Sequence, residues 1–283
     1  MKQNFSEHSK ILITGACQGL GRSLALLFAR NHKCELILMD VREDLSKDLL
    51  RELKYLGSRA TFYQVDFADA EATARVCERV IEVHDDIDVL VNNAALARAN
   101  TLLNTPLDAY EQTMRVNFLA PVQLTKLLLP RMVDRNIGHI VNVCSVMSHF
   151  SVAGLGDYIA SKHALMGHNS CLRLELQAAK SSVAVTGIFP YMVTTGLFAG
   201  TRTFLSALFP QLSTDEVVAR IYRAILYREK EVWVRDYFSL MKPLLLSLPF
   251  VVSDSFAHLM GQGIKHFTGR DQNKFKQEAV FSR

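Results

Sequence analysis

Residues 10–22 read Lys10-Ile11-Leu12-Ile13-Thr14-Gly15-Ala16-Cys17-Gln18-Gly19-Leu20-Gly21-Arg22. A short apolar and partly β-branched run leads into three glycines, and the alanine- and leucine-rich residues 23–29 follow with helical spacing. This order predicts a strand, a tight turn and a helix. Because a glycine-rich turn alone is as often a simple loop as a nucleotide cradle, its meaning depends on the rest of the chain.

The three glycines have the spacing G-x-x-x-G-x-G. Gly15 is expected to form the tight turn, while Gly19 and Gly21 allow a pyrophosphate to approach the backbone where a helix begins. Free N–H groups and the positive end of the helix dipole favour an anion at that place. Gln18 and Leu20 belong to the same predicted phosphate-binding turn.

A second apolar run, residues 35–39, ends in an acidic residue, Asp40. A carboxylate after the second strand is placed to accept hydrogen bonds from the adenosine ribose, and its charge repels the 2′-phosphate of NADP. This position favours NAD. Two alternatives stay open at this stage: Asp40 caps a helix or turn, and Arg42 pairs with a phosphate.

Apolar runs and helical patterns alternate along the chain without a linker or an internal repeat. Parallel strands are expected near residues 11–14, 35–40, 61–65, 87–91, 138–144, 183–189 and 231–234. Strands that are apolar along their whole length are covered by helices on both faces, which predicts an α/β doubly wound fold with a seven-stranded parallel sheet in a single domain. Ligands bind at the carboxyl ends of such strands, which is the expected position of Gly15, Asp40, Asp66, Asn92 and Ser145.

Tyr158 and Lys162 stand four residues apart, so in a helix their side chains lie on one face. A cation beside a phenol lowers the pKa of the phenol, which is otherwise near ~10 and too high for acid–base work at neutral pH. Pairs of this kind also arise by chance. Ser145, at the end of an apolar run upstream, adds a second polar group to the same predicted site.

The order of these features resembles one family, the short-chain dehydrogenases/reductases, from about Lys10 to Thr195. The matching features are the glycine turn, Asp40, Val65-Asp66-Phe67, Leu90-Val91-Asn92-Asn93-Ala94-Ala95, Val116-Asn117, Ile140-Val141-Asn142-Val143-Cys144-Ser145, Tyr158 with Lys162, and Pro190 with Thr195. The resemblance implies a Rossmann fold and hydride transfer with a nicotinamide cofactor. The tail beyond residue 212 is similar to the subgroup of 17-beta-hydroxysteroid dehydrogenases of types 11 and 13 and the retinol dehydrogenases.

The resemblance also implies a role for each catalytic residue. Tyr158 exchanges the proton of the substrate hydroxyl, and Ser145 orients that oxygen. Lys162 lowers the pKa of the phenol and holds the nicotinamide ribose. Asn117 holds a water that relays protons to the lysine, and its alternative role is to kink or cap a helix.

Further cofactor contacts follow from the same resemblance. Asp66 is expected at the adenine, Asn92 in the turn beside the cofactor, Pro190 near the nicotinamide and Thr195 at its carboxamide. Tyr158 and Lys162 complete this set.

Two positions depart from the family pattern. Ala95 replaces a glycine and adds a methyl group beside the cofactor. Tyr191 replaces the glycine usual after Pro190, and it either shapes substrate specificity or packs outward.

Composition limits the partners. The formal net charge is +4 with scattered basic residues, so nucleic-acid binding is not indicated. The five cysteines form no C-x-x-C pair and no His/Cys cluster with metal-ligand spacing, so they are expected as reduced thiols in a cytoplasmic protein, with no metal site. His149 is expected to line the pocket or to be solvated, and His163 and His168 are expected to be structural.

The last third of the chain bears on the substrate. Residues 196–209 are apolar and predict either a lid over a lipophilic substrate or an ordinary core helix. Ser213 and Glu216 form a capping-box pattern at the start of a helix that ends near Tyr227. Residues 237–252 are apolar but too short and too proline-rich to span a bilayer, so they either touch a membrane interface or cover the sheet or pocket.

These observations divide the chain into a dehydrogenase domain, residues 1–236, and an apolar extension with a basic tail, residues 237–283. Residues 1–9 are polar and predict no signal peptide or N-terminal membrane segment. The expected function is NAD-dependent oxidation or reduction of a steroid, retinoid or similar lipophilic alcohol or ketone. The alternatives are an NADPH-dependent carbonyl reductase and a cofactor-binding protein without turnover. A homodimer is implied by the resemblance. For residues 237–252, contact with the endoplasmic reticulum membrane or a lipid droplet is one alternative and covering the sheet or the pocket is the other.

Overall fold

A computed structural model describes residues 3–194 and 210–261. In this part of the chain seven parallel strands form one sheet, in the order β3-β2-β1-β4-β5-β6-β7. The strands are β1 (Lys10–Thr14), β2 (Glu35–Asp40), β3 (Arg59–Gln64), β4 (Val89–Asn92), β5 (His139–Val143), β6 (Ala184–Phe189) and β7 (Glu231–Trp233). The predicted doubly wound sheet is confirmed, and each predicted strand agrees with an observed one to within two residues.

Nine α-helices occur in the described ranges. They are α1 (Gly19–Asn31), α2 (Glu43–Tyr55), α3 (Ala70–His84), α4 (Leu107–Met114), α5 (Ala120–Asp134), α6 (Gly156–Ala178), α7 (Thr214–Tyr227), α8 (Asp236–Ser247) and α9 (Phe250–Gly261). A π-helical turn, Arg115–Leu119, joins α4 to α5. The predicted N-cap of α7 is observed, since the Ser213 hydroxyl accepts a hydrogen bond from the backbone N–H of Glu216 at 3.2 Å.

The strands are apolar along their length because both faces of the sheet are covered. Successive side chains of a strand point to opposite faces, so Ile11 and Ile13 pack on one side and Leu12 on the other. The first side also receives α1 and α7, and the second receives α3 and α5. Truncating a buried leucine such as Leu12 to alanine costs about 2–5 kcal/mol. The polar residues buried inside strands, Asn142 in β5 and Thr186 in β6, are hydrogen-bonded.

Successive strands are added to the sheet in one direction from β1 to β3 and in the opposite direction from β4 onwards. The strand order runs outward to β3 on one side of β1, and then outward from β4 on the other. Loops that leave neighbouring strands in opposite directions open a crevice at their carboxyl ends, which is where ligands bind in this kind of sheet. The loops after β1 and β4 border that crevice.

Helix α8 begins at the predicted boundary between domain and extension. Its residue Phe238 is buried, and its ring centroid lies 4.9 Å from that of Tyr191, which follows β6. Residues on both sides of position 236 therefore pack together, and the division of the chain there stays a prediction. Within the described ranges, no helix has the length and apolar character required to cross a membrane. The predicted lid at 196–209 and Thr195 lie outside the described residues.

Candidate active site

A cleft of about 490 Å³ opens at the carboxyl ends of the strands. Most of the residues predicted for the site line it, namely Gly15, Gln18, Gly19, Leu20, Asp40, Asp66, Ser145, Tyr158, Lys162 and Pro190. Three others, Gly21, Asn92 and Asn117, are buried outside this lining. The sequence pattern therefore identified residues at the carboxyl ends of five strands and on helix α6, which the fold brings together.

The glycine turn needs its glycines for two different reasons. Gly15 and Gly19 have φ angles of +63° and +54°, a region that side chains disfavour. A Cβ at Gly15 would lie 2.8 Å from Ala94 Cα, and a Cβ at Gly21 would lie 2.2 Å from the carbonyl oxygen of Gly15. Gly21 therefore packs against the turn itself, and its expected role in letting a pyrophosphate approach the backbone stays a prediction.

The beginning of α1 has the properties of an anion site. Its N-cap residue, Gln18, makes no side-chain capping bond, and no acidic side chain stands in its first turn. The first N–H groups of a helix have no partner within the helix, and the helix dipole adds partial positive charge. The Gly19 backbone and these N–H groups border the cleft, so the residues present fit a dinucleotide pyrophosphate.

Asp40 is buried at the edge of the cleft and holds the turn. Its carboxylate accepts hydrogen bonds from the backbone N–H of Cys17 at 2.8 Å and of Arg42 at 3.0 Å. The Arg42 guanidinium pairs with Asp44, at 2.8 and 2.6 Å. Each carboxylate oxygen has a second lone pair, so Asp40 keeps acceptor capacity for ribose hydroxyls while it fixes the turn.

The two consecutive asparagines at the end of β4, Asn92 and Asn93, make different contacts. Asn92 lies within the strand, and its side chain donates to Asn142 Oδ1 at 2.8 Å inside the sheet. The Asn93 amide instead donates to the carbonyl oxygens of Thr14 at 2.9 Å and Gly15 at 3.1 Å. Asn93 and Ala94 line the cleft, and the prediction named only Asn92. The exact end of β4 was the missing information, because one residue of register decides which amide leaves the sheet.

Ser145 and Tyr158 meet in the middle of the cleft. Ser145 follows β5, and the next N–H, of Val146, donates to Pro190 O at 3.0 Å, which ties this turn to the end of β6. The Ser145 hydroxyl accepts from the N–H of Met147 at 3.1 Å and forms a side-chain hydrogen bond with Tyr158. The Ser145 and Tyr158 side chains are therefore neighbours in the cleft.

Lys162 lies one helical turn after Tyr158 and is buried. Its Nζ donates to the carbonyl oxygen of Val143 at 2.7 Å and lies 5.8 Å from the centroid of the Tyr158 ring. The predicted pairing on one helix face is observed. Burial lowers the pKa of the Lys162 ammonium to about 8, because a charged group loses its hydration there.

The pKa of Tyr158 differs from the expectation. Burial raises it to about 12, and the hydrogen bond with Ser145 opposes this rise. The sequence predicted a lowering by Lys162. Within the protein's own groups desolvation of the phenolate dominates, and the ammonium of Lys162 is engaged with Val143.

Asn117 sits in the π-helical turn with both ends of its amide engaged. Its Oδ1 accepts from the N–H of Leu96 at 2.7 Å, and its Nδ2 donates to Leu96 O at 2.8 Å and to Ser161 Oγ at 2.9 Å. The amide thus joins the loop after β4 to α6, and the alternative of a helix-kinking or capping asparagine stays a prediction. Its expected role in holding a proton-relay water stays a prediction.

An aromatic cluster stands beside the substrate end of the cleft. Tyr191 is buried, lines the cleft and packs on Phe238. The His149 ring stacks on Trp233 at 4.9 Å, and Trp233 stacks on Phe189 at 5.0 Å. Of the two alternatives for Tyr191, the outward one is excluded by its burial.

Asp66 borders the cleft at the end opposite to Tyr191. Its carboxylate accepts from the backbone N–H of Ala68 at 2.9 Å. Among the described residues, no group of three His, Cys, Asp or Glu side chains is arranged to hold a metal ion. The cleft is lined by the glycine turn and Asp40 together with Ser145, Tyr158 and Lys162.

Comparison with known proteins points to one family. A family model described as short chain dehydrogenase matches residues 9–205. Retinol dehydrogenase 10-B of Danio rerio is 34% identical over 262 residues, which cover 84% of this chain and 78% of the relative. 17-beta-Hydroxysteroid dehydrogenase 13 of Homo sapiens is 35% identical over 240 residues, which cover 84% of this chain and 79% of the relative. A solved short-chain dehydrogenase from Sphingobium yanoikuyae in complex with NADPH is 25% identical with a TM-score of 0.73, covering 85% of this chain and 96% of that one.

Proposed function

The chain belongs to the short-chain dehydrogenase family, and from this membership we propose that it transfers hydride between a nicotinamide cofactor and a lipophilic alcohol or ketone. One observation carries the proposal. Ser145, Tyr158 and Lys162 line the same cleft as the glycine turn and Asp40. Hydride transfer at a carbon–oxygen bond needs a proton-transfer group beside a dinucleotide cradle.

Three residues of the chain have separate roles at the substrate oxygen. The nicotinamide ring supplies the hydride acceptor or donor when the cofactor is bound. Ser145 holds the substrate oxygen by a hydrogen bond and stabilises charge that develops on it. Tyr158 takes the proton from this oxygen or returns it. Lys162 keeps a positive charge near the phenol, which favours the phenolate that oxidation requires.

Carbonyl reduction is the second candidate direction. A Tyr158 pKa of about 12 keeps the phenol protonated at neutral pH, and a protonated phenol can donate to a carbonyl oxygen. Initial rates measured from the alcohol and from the ketone side, with NAD, NADH, NADP and NADPH, distinguish the two. A rate with NADPH that exceeds every NAD-dependent rate would favour the reductase.

For the cofactor we favour NAD over NADP. The buried Asp40 carboxylate stands where the adenosine ribose is expected, and it repels a 2′-phosphate. The pairing of Arg42 with Asp44 supports this preference, because it engages a cation two residues after Asp40 that could otherwise hold a phosphate. Tighter binding of NADPH than of NADH by the purified protein would contradict it.

The substrate is proposed to be a steroid, retinoid or similar lipid alcohol. Side chains around the reacting oxygen are apolar or aromatic, and they include Met147, Leu155, Tyr191, Met192 and Val193. An apolar ligand needs such a wall, since the burial of its surface supplies the binding free energy. The names of the two relatives, a retinol and a 17-beta-hydroxysteroid dehydrogenase, agree with this class.

Peripheral contact with a lipid surface is proposed for α8 and α9. Leu240 and Val251 are 74% and 78% exposed, and apolar side chains of this size favour an interface between water and lipid. The endoplasmic reticulum membrane and the lipid droplet are the proposed locations. Co-flotation of the purified protein with phospholipid vesicles tests the contact, and it should weaken for Leu240→Asp.

A homodimer through the outer faces of α5 and α6 is also proposed. Leu119, in the turn before α5, and Leu174, on α6, are 43% and 55% exposed. Sedimentation velocity measures the oligomeric state. Leu174→Glu should shift a dimer towards the monomer, and a wild-type monomer would contradict the proposal.

The direct test of the function is a substrate screen with product identification. Purified full-length protein is incubated with retinol, steroid and aliphatic alcohols and each oxidised cofactor, and products are identified by mass spectrometry. We expect a ketone or aldehyde from at least one lipophilic alcohol, with equimolar reduced cofactor. A protein that binds NAD and converts no alcohol or ketone would instead be a cofactor-binding protein without turnover.

A further inference from the structure

A buried carboxylate stands directly before the catalytic tyrosine. Asp157 is 2% exposed and lies in the first turn of α6, next to Tyr158. Its Oδ2 accepts a hydrogen bond from the Thr113 hydroxyl of α4 at 2.7 Å. Taking an ionised carboxylate out of water costs several kcal/mol unless a partner stabilises it. The charge that offsets Asp157 has to be close.

The Thr113 hydroxyl also binds a cation, Arg98, which lies in the loop after β4. Its Nη1 donates to Thr113 Oγ1 at 2.9 Å and to Ala109 O at 3.1 Å, and its Nη2 donates to Gln112 Oε1 at 2.8 Å. The guanidinium is thereby fixed on α4 by three acceptors. Arg98 and Thr113 are both outside the lining of the cleft.

The direction of the hydrogen bonds is fixed by chemistry. A guanidinium only donates, and an ionised carboxylate only accepts. The Thr113 hydroxyl therefore accepts from Arg98 and gives its own hydrogen to Asp157. Thr113 is fully buried, so water does not compete for either bond. The three side chains form a charge-assisted chain from the loop to the start of α6.

The same loop is attached to the site at two further points. Leu96 is clamped through its backbone N–H and C=O by the Asn117 amide. Asn100 donates its N–H to Gly154 O at 2.9 Å and pairs with Leu155, which lines the cleft. The loop begins at the cofactor turn and ends against the start of α6. It therefore connects the part of the cleft that holds the cofactor to the helix that carries Tyr158.

We propose that Arg98, Thr113 and Asp157 are positioning residues for the reaction, which fix the first turn of α6 and so the place of the Tyr158 phenol relative to Ser145 and the cofactor turn. The proposal rests on the proposed function. A misplacement of about 1 Å in a reacting group can lower turnover about 100-fold. Loss of this chain should therefore reduce kcat while binding of substrate and cofactor is retained.

Two substitutions at Thr113 separate positioning from packing. Thr113→Val keeps the shape of the side chain and removes the hydroxyl, whereas Thr113→Ser keeps the hydroxyl and removes the methyl group. We expect kcat to fall about 10- to 100-fold for T113V, with KM and the Kd for NADH changed less than about threefold. T113S should keep kcat within about threefold of the wild type. Equal losses for both variants, or an unchanged kcat for T113V, would overturn the proposal.

Arg98→Met supplies a second variant at a half-buried position, for the case in which T113V does not fold. It removes the charge at the far end of the chain, and its kcat should fall as for T113V, with Arg98→Lys restoring part of it. Circular dichroism and urea unfolding verify that each variant is folded. A folded R98M protein with wild-type kcat would refute the positioning role of Arg98.

The inference and the proposed function can fail separately. A wild-type protein without turnover on any alcohol or ketone sinks the proposed function. The position of Tyr158 is then followed by the NMR signals of its ring, assigned by their loss in Tyr158→Phe. Shifted ring signals in T113V and R98M, with native signals in T113S, support the positioning. Ring signals that stay at their wild-type positions in T113V and R98M refute it.

Discussion

Gly15→Ala has a matched control elsewhere in the chain, at Gly57. The two glycines have similar φ angles, +63° and +74°, so an alanine at either one meets the same disfavoured backbone region. This strain costs about 1–2 kcal/mol. The surroundings differ, because a Cβ at Gly57 has no neighbour within 4 Å, whereas at Gly15 it would lie 2.8 Å from Ala94 Cα.

The backbone contact at Gly15 adds a second cost. The contacting atom of Ala94 belongs to the backbone, so it cannot be relieved by rotating a side chain and one of the two backbones must shift. Overpacking of this kind costs about 1–3 kcal/mol. Gly15→Ala should therefore lower the free energy of unfolding by about 1–3 kcal/mol more than Gly57→Ala. The shift falls on the turn that is proposed to hold the pyrophosphate, so the Kd for NADH should rise at least about tenfold, which corresponds to ~1.4 kcal/mol of lost contact.

Urea unfolding gives the two free energies, and fluorescence titration gives the Kd for NADH. Gly57→Ala should bind NADH like the wild type, since Gly57 follows α2 and does not line the cleft. Equal destabilisation by the two alanines would refute the packing argument. Unchanged NADH binding by Gly15→Ala would refute the place given to the cofactor.

Three further changes test other parts of the site and fold. Asp40→Asn removes the charge and keeps a carbonyl acceptor, so binding of NADPH relative to NADH should strengthen by about tenfold or more. Fluorescence titration gives the two dissociation constants, and an unchanged ratio would mean that Asp40 does not select the cofactor. Tyr191→Ala removes a ring from the apolar wall, so kcat/KM for a bulky lipid alcohol should fall at least about tenfold, while that for a short aliphatic alcohol changes little; equal losses for both would place Tyr191 outside the substrate site. Burial lowers the pKa of His139 from 6.5 to about 3, so the unfolded chain takes up this proton first as pH falls, and stability should decrease below pH 6.5 by up to about 1.4 kcal/mol per pH unit. His139→Gln should flatten this slope between pH 6.5 and 5 in urea unfolding, and a slope equal to that of the wild type would contradict the assignment.

The sheet could be predicted from the sequence because its signals are local. Most strands are largely apolar runs with a polar or glycine-containing loop after them, and the parallel order follows from the helices between the runs. Several cleft residues were identified for the same reason, since they stand at the end of such a run. Gly15, Asp40 and Ser145 are examples. Tyr158 and Lys162 were instead identified from their helical spacing.

Several details of the site cannot be obtained from local sequence signals. The choice between Asn92 and Asn93 depends on the residue at which β4 ends, and helical or strand periodicity does not determine that residue. The pKa of Tyr158 depends on how deeply the fold buries it, which the spacing to Lys162 does not reveal. Arg98, Thr113 and Asp157 form no motif, because they come from three different elements.

Tyr158→Phe tests the central claim most directly. The phenylalanine ring keeps the packing of a buried tyrosine and removes only the hydroxyl that exchanges the proton. With a substrate found in the screen, we predict that kcat falls by at least about 1000-fold while the Kd for NADH changes less than about threefold. Turnover near the wild-type rate in a folded Tyr158→Phe protein would contradict the account.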